Sequence, residues 1–335
     1  MEVVLMNEPV LKEIHLRNIL SFGPDSKPLP LGPLNVLIGP NGSGKSNLLE
    51  AISLLRAAPR DLSAPVKEAG GGVRDWLWKG KRNPTASIEV IIHNPDRPPN
   101  MPIRHSFSFV EHGKRFEVAT ERIENRDPFP GGYEGSFFYY INEKGGHIRL
   151  KGKPQYEERA YLQSEDSEER SLSRDFIDPE ASVLSQVKDP ERYPVLAYLT
   201  DIYGKFRLYR EWTFGRYTAP RKSQKADLPN DYLLETCENL PPLVLNSLRP
   251  SAEQDILKAL SYLYPEINGF YEQIEGGGVQ LFFKEGSFTI PATRLSDGTL
   301  RYLCMLAILC HPNPPPLVCI EEPELGLHPP MSCLI

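Results

Sequence analysis

The sequence predicts an α/β fold built around a phosphate-binding loop, with an added antiparallel β layer. Three observations predict this fold. A glycine-rich loop lies between an apolar run and a helical pattern, a second apolar run ends in adjacent carboxylates, and the middle of the chain carries short alternating strands. The 335 residues are 40% hydrophobic and 24% charged, which suffices for one large or two modest domains with a proper core.

Composition and charge exclude several classes of protein. The 38 basic and 44 acidic residues give a net charge of −6, which excludes a uniformly basic nucleic-acid coat protein. No apolar run is long enough to cross a bilayer, and residues 1–10 lack the basic start of a signal peptide. The 5 cysteines form no CxxC pair, and their odd number argues against a disulfide framework. We therefore expect a reduced, cytoplasmic protein with no membrane partner.

The N-terminal part of the chain predicts two strands followed by a helix. Residues 10–21 alternate as a strand and lead into a proline-rich turn. Residues 34–38 are apolar except for Asn35, as expected for a strand buried on both faces. Residues 47–58 carry leucine and isoleucine at helical spacing, and Pro59 ends this predicted helix.

The middle of the chain, from residue 64 to about 178, favours an antiparallel β layer of meanders. Its strand-like stretches are separated by Gly, Pro and Asn turns and cover residues 87–93, 105–110, 115–123, 136–142 and 147–150. Residues 155–180 are polar and mixed in charge, which indicates a solvated loop or helix face. Beyond them we expect helices at 190–203, 231–240 and 252–264, and strands at 270–274 and 280–284.

The glycine-rich loop is the first motif that carries chemistry. Gly39-Pro40-Asn41-Gly42-Ser43-Gly44-Lys45-Ser46 fits the Walker A pattern G-x-x-x-x-G-K-[ST]. Its glycines let backbone N–H groups surround a phosphate, and the start of the next helix adds partial positive charge. Lys45 is suited to neutralise phosphate oxygens and the Ser46 hydroxyl to ligate Mg²⁺. The alternative, a glycine-rich turn without a ligand, is disfavoured by the flanking strand and helix patterns. The sequence therefore predicts a P-loop NTPase.

An acidic pair at the end of an apolar run is the second motif. Residues 317–320 are apolar, and Glu321 and Glu322 follow them. In P-loop proteins an acid at such a strand end completes the shell of Mg²⁺, as in Walker B. Because successive strand residues diverge, we expect Glu321 to face the metal and Glu322 to face the attacking water as general base. Taken alone, the motif also fits an exposed acidic strand end before a turn.

A serine–glycine turn before a predicted helix is the third motif. Residues 294–300 have the sequence Arg-Leu-Ser-Asp-Gly-Thr-Leu, and leucines at helical spacing follow. Such a turn offers a hydroxyl and backbone N–H groups to an anion. By itself it is a common N-cap turn, but here one predicted helix separates it from the acidic strand.

Together these motifs resemble the ABC-type ATPase heads of the RecF/SMC clan, and most closely its stand-alone bacterial AAA-family ATPases. The matching pieces are residues 18–22, 39–46, 295–299 (Leu-Ser-Asp-Gly-Thr, the ABC signature) and 320–329, where Leu-Gly-Leu-His-Pro resembles a D-loop. The resemblance implies an ABC/SMC-head-like two-lobe architecture with an antiparallel β layer and a helical insert. Residues 1–335 would form one ATPase domain, with a P-loop lobe at 1–150, a charged linker and helical insert at 151–285, and the signature and Walker B segment at 286–335.

What the resemblance implies for mechanism is a homodimer that packs head to tail around ATP. ATP would lie between the loop of one head and Ser296 and Gly298 of the other, and its hydrolysis would open this sandwich. Lys45 and Glu322 would be catalytic, and Ser46 and Glu321 would hold Mg²⁺. The residues of the loop that would bind nucleotide are Asn41, Gly42, Ser43, Gly44, Lys45 and Ser46. Gln186 is the candidate for the family's Mg²⁺-sensing glutamine, with an ordinary polar residue as the alternative.

Three departures from the family pattern qualify this expectation. Glu321 stands where the family has Asp, and Asp297 replaces the first glycine of the signature. The sequence ends at Ile335, before the helix, strand and histidine switch with which the family continues. We therefore expect either a truncated product or a head completed by another polypeptide.

The predicted function is Mg²⁺-dependent ATP hydrolysis by a dimerising head that acts in DNA repair or anti-phage defence. The implied partners are an effector nuclease or other protein, and DNA. The alternative is a nucleotide-responsive binding module with little intrinsic ATPase activity. The ATPase subunit of a membrane importer is disfavoured, because such subunits place the signature much nearer the P-loop. Clusters of cations and aromatic rings at 76–82 and 205–222 suit nucleic acid, and equally a β-layer surface whose rings pack inward.

Overall fold

The structure is a computed structural model that describes residues 8–94, 101–128, 136–143, 148–152, 169–173 and 177–325. The chain divides into two compact units, an N-terminal unit (Val4–Phe206) and a C-terminal unit that begins at Arg207. The predicted segment limits at residues 150 and 285 stay a prediction. Several predicted segments lie outside the described residues. They are residues 129–132 of the predicted turn at 128–132, the predicted turn at 144–146, most of the polar segment 155–180 and the D-loop-like turn from Gly326 onward.

One large antiparallel sheet dominates the N-terminal unit, as the alternating strands predict. Its strand order is β2-β1-β3-β4-β5-β6-β7-β8. The strands are β1 (Leu11–Arg17), β2 (Leu29–Pro30), β3 (Ala86–Ile92), β4 (Ile103–His112), β5 (Arg115–Asn125), β6 (Phe138–Asn142), β7 (Ile148–Lys151) and β8 (Glu169–Leu172). Each neighbouring pair is antiparallel.

Alternation along the strands explains how the sheet buries its inner face. In β4, Ile103, Phe107 and Phe109 are buried at every second or fourth position, which turns one face of the strand to the core. Gly113 and Lys114 join β4 to β5 with positive φ angles of 58° and 68°. Two consecutive positive φ values are what a tight type I′ hairpin requires.

Five helices belong to the part of the N-terminal unit that the structure describes. They are α1 (Lys45–Ala57), α2 (Ala64–Glu68), α3 (Val73–Trp76), α4 (Val183–Gln186) and α5 (Pro194–Gly204). The apolar positions of α1 form one buried stripe at helical spacing, which includes Leu48, Ile52 and Leu55. The helices predicted at 47–58 and 190–203 are thus confirmed as α1 and α5.

The strand predicted at residues 34–38 is wrong. The structure shows no regular strand there, and Leu34, Val36 and Ile38 are 77%, 73% and 92% exposed. Asn35 instead closes a local turn, in which its side chain accepts from and donates to the backbone of Gly32. An apolar run indicates a capacity for burial, but a strand also needs a neighbouring strand to pair its backbone.

A buried polar network ties the helices of this unit to the sheet. His105 and Glu121, both fully buried, lie on neighbouring strands with Nε2 and Oε1 3.2 Å apart. The Glu121 carboxylate also accepts from the Ser182 hydroxyl and from the Val183 backbone N–H at the start of α4. The other His105 nitrogen is 3.0 Å from the Tyr203 hydroxyl on α5. Paired this way, the buried charge holds the ends of α4 and α5 in place.

The C-terminal unit combines helices with two small sheets. Its helices are α6 (Leu240–Leu243), which continues as a π-helical segment, α7 (Arg249–Ser261) and α8 (Asp297–Leu309). β10 (Gln224–Lys225), β11 (Ile267–Glu275), β12 (Gly278–Glu285) and β13 (Phe288–Pro291) form one sheet, while β9 (Arg207–Tyr209) and β14 (Val318–Ile320) form a parallel pair. The helix predicted at 252–264 and the strands at 270–274 and 280–284 are confirmed.

The helix predicted at 231–240 is wrong. This segment is irregular and ends at α6, and Cys237 adopts a φ of 56° that no right-handed helix contains. The buried Asn239 side chain accepts from the Leu234 N–H and donates to the carbonyls of Pro229 and Tyr232. These bonds satisfy backbone groups of the segment without helical hydrogen bonds. The segment therefore forms a loop despite the helical spacing of its apolar residues.

Within the described residues, no helix has the length and apolar character needed to span a bilayer.

Candidate nucleotide site

The glycine-rich loop joins the exposed segment before it to the first turn of α1. Gly42 and Gly44 have φ angles of 81° and 96°, the left-handed region that L side chains rarely adopt. Gly44 is also the N-cap of α1, and its carbonyl accepts from the Leu48 N–H at 3.0 Å. The sequence of two glycines therefore produces a tight curl that ends on a helix N-terminus, the geometry suited to a phosphate.

Two glycines of the loop lie where a side chain would not fit. A Cβ at Gly39 would be 2.8 Å from Ser43 Oγ, and a Cβ at Gly44 would be 2.8 Å from Ser21 Oγ. Ser21 belongs to the segment after β1 that the resemblance also includes. A side chain at either position would therefore require the neighbouring serine hydroxyl to move, and at Gly44 the positive φ disfavours a side chain as well.

The side chain of Lys45 folds back onto backbone carbonyls of the glycine-rich loop. Lys45 Nζ donates to Gly39 O at 2.7 Å and to Pro40 O at 3.1 Å. Ser46 and Asn41 are exposed beside it, and the first turn of α1 carries no acidic residue. Because the first turn of α1 has no acidic residue of its own, the positive partial charge of this helix start favours an anion.

The serine–glycine turn begins α8 as predicted. Ser296 is the N-cap, and its hydroxyl accepts from the Thr299 N–H at 3.1 Å. The Thr299 hydroxyl in turn donates to the Tyr264 hydroxyl at 2.7 Å. Ser296 is exposed and Gly298 partly exposed, so both face solvent at the helix start. The turn is an ordinary N-cap in its local bonds, and its exposure leaves it open to a further anion.

A buried arginine that the sequence interpretation did not single out braces this turn. Arg221 is 7% exposed, and its Nε donates to the Phe214 carbonyl at 2.8 Å. Its Nη1 donates to the carbonyls of Thr293 and Leu295, and its Nη2 pairs with the Asp297 carboxylate. One guanidinium thus binds two backbone carbonyls before Ser296 and the side chain of Asp297 after it.

The acidic pair follows a strand, as predicted. β14 pairs in parallel with β9, so that Ile320 lies opposite Tyr209, and the Glu321 N–H donates to Tyr209 O at 2.9 Å. The carboxyl ends of both strands therefore meet at one edge. There, Arg210 Nε donates to Glu321 Oε2 at 3.0 Å. The proposed metal ligand is thus paired with a cation that sequence interpretation had placed only in a basic cluster.

Glu322 stands in a strained backbone conformation. Its φ of 48° lies in the left-handed region, where a non-glycine residue costs about 1–2 kcal/mol. Burial lowers the pKa of the neighbouring Arg301, whose guanidinium lies 5.3 Å from the centre of the Trp212 ring, while the carboxylates of Glu322 and Glu324 oppose that shift. Glu322 is therefore an exposed residue with a strained backbone, and its carboxylate lies close enough to the buried Arg301 guanidinium to interact with it electrostatically.

The predicted site residues are divided between the two units. Asn41 to Ser46 lie in the N-terminal unit, and Ser296, Gly298, Glu321 and Glu322 lie in the C-terminal unit. Gln186, in α4, donates its amide to carbonyls of the preceding loop and accepts from the Asp178 N–H at 2.8 Å, as an ordinary polar residue does.

The basic and aromatic clusters contain rings that pack inward. Trp76 is 2% exposed, Phe206 is fully buried and Tyr209 is 2% exposed. This burial agrees with the alternative of a packed surface, because a ring that stacks on a base must be accessible.

The oxygen chemistry of the site fits Mg²⁺. A hydroxyl on Ser46 and a carboxylate on Glu321 are donors that this ion prefers, and it usually keeps waters and phosphate oxygens as its other ligands. Among the described residues, no group of three or more His, Cys, Asp or Glu side chains is placed to hold a metal ion.

Comparison with known proteins adds a family. The chain matches the family described as "AAA domain, putative AbiEii toxin, Type IV TA system" over residues 34–332. One similar solved structure comes from "Structural biochemistry of ATP-driven dimerization and DNA stimulated activation of SMC ATPases". It shares 19% identity over 32% of this chain and 72% of that chain, with a TM-score of 0.24, which is too low to establish a shared fold. No protein of curated function matches the chain.

The family match confirms the predicted α/β P-loop NTPase fold, and it spans the Walker A loop and the acidic strand end alike. Because the matched residues make up most of the chain, this protein belongs to that AAA-domain family of P-loop ATPases.

Proposed function

We propose that this chain binds and hydrolyses ATP with Mg²⁺, as a head that dimerises around the nucleotide. The single observation that carries the proposal is the glycine-rich loop, in which Gly42 and Gly44 curl the backbone onto the start of α1 beside Lys45. A helix start free of acidic residues, with a lysine at its first position, is suited to polyphosphate.

The roles of the loop residues follow from their positions. Backbone N–H groups from Asn41 to Ser46 would donate to the β-phosphate, and Lys45 would leave the carbonyls of Gly39 and Pro40 for phosphate oxygens. Ser46 and Glu321 would hold Mg²⁺, which supplies charge neutralisation at the β- and γ-phosphates.

Glu322 is proposed as the general base that accepts a proton from the attacking water. Glu322 is exposed and has a strained φ of 48°, whereas Glu321 is partly buried and paired with Arg210, so the two acids lie in different surroundings. Burial lowers the pKa of the nearby Arg301, and the carboxylates of Glu322 and Glu324 oppose that shift.

Ser296 and Gly298 are proposed to bind the γ-phosphate of a second copy. They lie exposed at the start of α8, where backbone N–H groups point outward. A head that offers its own P-loop and a second anion-binding helix start completes two sites when two copies pack head to tail. Nucleotide then holds the dimer together, and hydrolysis releases it.

The proposed cellular setting follows from the family description. The family description names a type IV toxin–antitoxin system, which supports a role with a partner protein in defence ahead of DNA repair. DNA and an effector nuclease stay proposals drawn from the resemblance to the RecF/SMC clan.

A second candidate function is a nucleotide-responsive binding module with little turnover. One observation favours it, namely that the Glu321 carboxylate is paired with Arg210. Steady-state phosphate release by the purified chain, alone and with DNA, distinguishes this module from the enzyme.

Replacing Glu322 by Gln tests the assignment of the base. Glu322→Gln retains the shape of the side chain but cannot take a proton, so we expect it to bind ATP normally, to hydrolyse it about 10²–10⁴-fold more slowly and to accumulate as an ATP-bound dimer. Phosphate release and sedimentation velocity with Mg²⁺-ATP measure the two effects.

The matched control is Glu324→Gln, two residues further on and likewise exposed. It should hydrolyse ATP and dissociate as the parent does. A Glu322→Gln protein with the parental rate of hydrolysis would show that another group takes the proton.

A further inference from the structure

Arg210 follows β9 directly and Glu321 follows β14 directly, so the parallel pairing of the two strands brings their side chains together. The backbone bond from Glu321 N–H to Tyr209 O fixes the spacing of this edge. Both side chains are partly buried, with 28% and 24% of their surfaces exposed. The pairing of β9 with β14 therefore positions the two charged side chains, and partial burial makes their ion pair stronger than a fully solvated pair.

The pair has a consequence for metal binding. A carboxylate that accepts from a guanidinium at 3.0 Å has much of its charge neutralised. A dication that approaches the same carboxylate meets the positive charge of Arg210, and water screens that repulsion poorly at a half-buried edge. The Glu321 carboxylate therefore binds Mg²⁺ more weakly while it is paired with Arg210.

We propose that Arg210 is a positioning residue that holds the Glu321 carboxylate and must release it when Mg²⁺ binds with nucleotide. This proposal rests on the proposed function, in which Glu321 is a ligand of the metal. Arg210 sets the Mg²⁺ concentration at which the site assembles, because each binding event replaces the ion pair by a metal–carboxylate contact. The released guanidinium carries no catalytic role in this scheme.

The experiment measures how nucleotide binding depends on Mg²⁺. Binding of a fluorescent ATP analogue is titrated with Mg²⁺ in the full chain, so that the readout is affinity and not turnover. For Arg210→Gln we expect the half-saturating Mg²⁺ concentration to fall about three- to ten-fold, because the competing cation is gone. Binding of the analogue in EDTA should be the same as in the parent. Arg210→Lys, which keeps the charge without the planar donor, should lie between the parent and the Gln variant.

Arg207→Gln is the matched control. It removes the same charge from the other end of β9, where the Arg207 guanidinium lies 5.1 Å from the centre of the Tyr232 ring. It should leave the Mg²⁺ dependence unchanged. In a Glu321→Gln background, Arg210→Gln should also have no effect on this dependence, since the carboxylate through which it acts is gone.

The outcomes separate this proposal from the function on which it rests. A half-saturating Mg²⁺ concentration that is unchanged or raised in Arg210→Gln overturns the proposal, and so does a full effect that persists in the Glu321→Gln background. If the parent binds no ATP analogue, or binds it as well after Lys45→Ala, then the proposed function fails and takes this proposal with it. Thermal unfolding of each variant, compared with the parent, checks that it is folded.

Discussion

At the residue scale, the proposed site contains left-handed backbone conformations, one of which costs free energy. Gly42 and Gly44 occupy the left-handed region without penalty, whereas Glu322 occupies it at φ 48° with a full side chain. Strain of this kind persists only where the surroundings enforce it, and it is frequent at functional sites. The strain at Glu322 is consistent with a residue whose side-chain direction is retained at a cost in folding stability.

Comparing two substitutions at residue 322 tests this strain. Glu322→Gly and Glu322→Ala both remove the carboxylate, but glycine alone adopts a positive φ freely. We therefore expect the glycine variant to be more stable than the alanine variant by about 1 kcal/mol in urea unfolding, although glycine ordinarily costs backbone entropy. Position 324, which has no positive φ, is the control. There, Glu324→Gly should be the less stable member of its pair, and the same order at position 322 would contradict the account.

At the element scale, α8 and the loop before it depend on a residue from a different part of the unit. Arg221 lies in a short 3-10 segment (Ala219–Arg221) and reaches the carbonyls and the carboxylate around Ser296. Removing a buried cation with four acceptors leaves several polar groups unsatisfied, which costs more than the pair itself contributes.

Replacing Arg221 by Met is therefore predicted to lower the free energy of unfolding by about 2–4 kcal/mol, as measured by urea titration. The side chain of Asp297 is 67% exposed, so Asp297→Asn, which removes only the charged partner, should cost less than about 1 kcal/mol. Equal losses for the two variants would mean that the ion pair, and not the buried bonds to the carbonyls, fixes this turn.

The same scale shows what could be predicted from sequence. The alternation of β3 to β5, the stripe of α1 and the N-cap at Ser296 are local patterns, and each is confirmed. The apolar residues 34–38 and the helical spacing at 231–240 were misinterpreted, because strand pairing and the bonds of Asn239 are not encoded in periodicity. Arg210 and Arg221 were missed as individual residues for the same reason. Their partners lie 111 and 76 positions away, and only the fold identifies them.

At the scale of the whole molecule, the predicted site residues are divided between the two compact units. The phosphate-binding loop belongs to one compact unit, and the acidic pair with the serine–glycine turn belongs to the other. We propose that one nucleotide uses the loop and the acids of a single copy together with the turn of a second copy. In this proposal, occupancy of the site by nucleotide is a signal, because ATP would bring two copies together.

Mixing two inactive variants tests this claim most directly. Lys45→Ala removes the loop cation but keeps the turn, whereas Ser296→Arg blocks the turn but keeps the loop. When equal amounts are mixed with Mg²⁺-ATP, phosphate release should recover to about a quarter of the parental rate, because about half of the dimers are mixed and each of these has one intact site. A mixture of folded variants that stays as inactive as either variant alone would contradict a site shared between two copies.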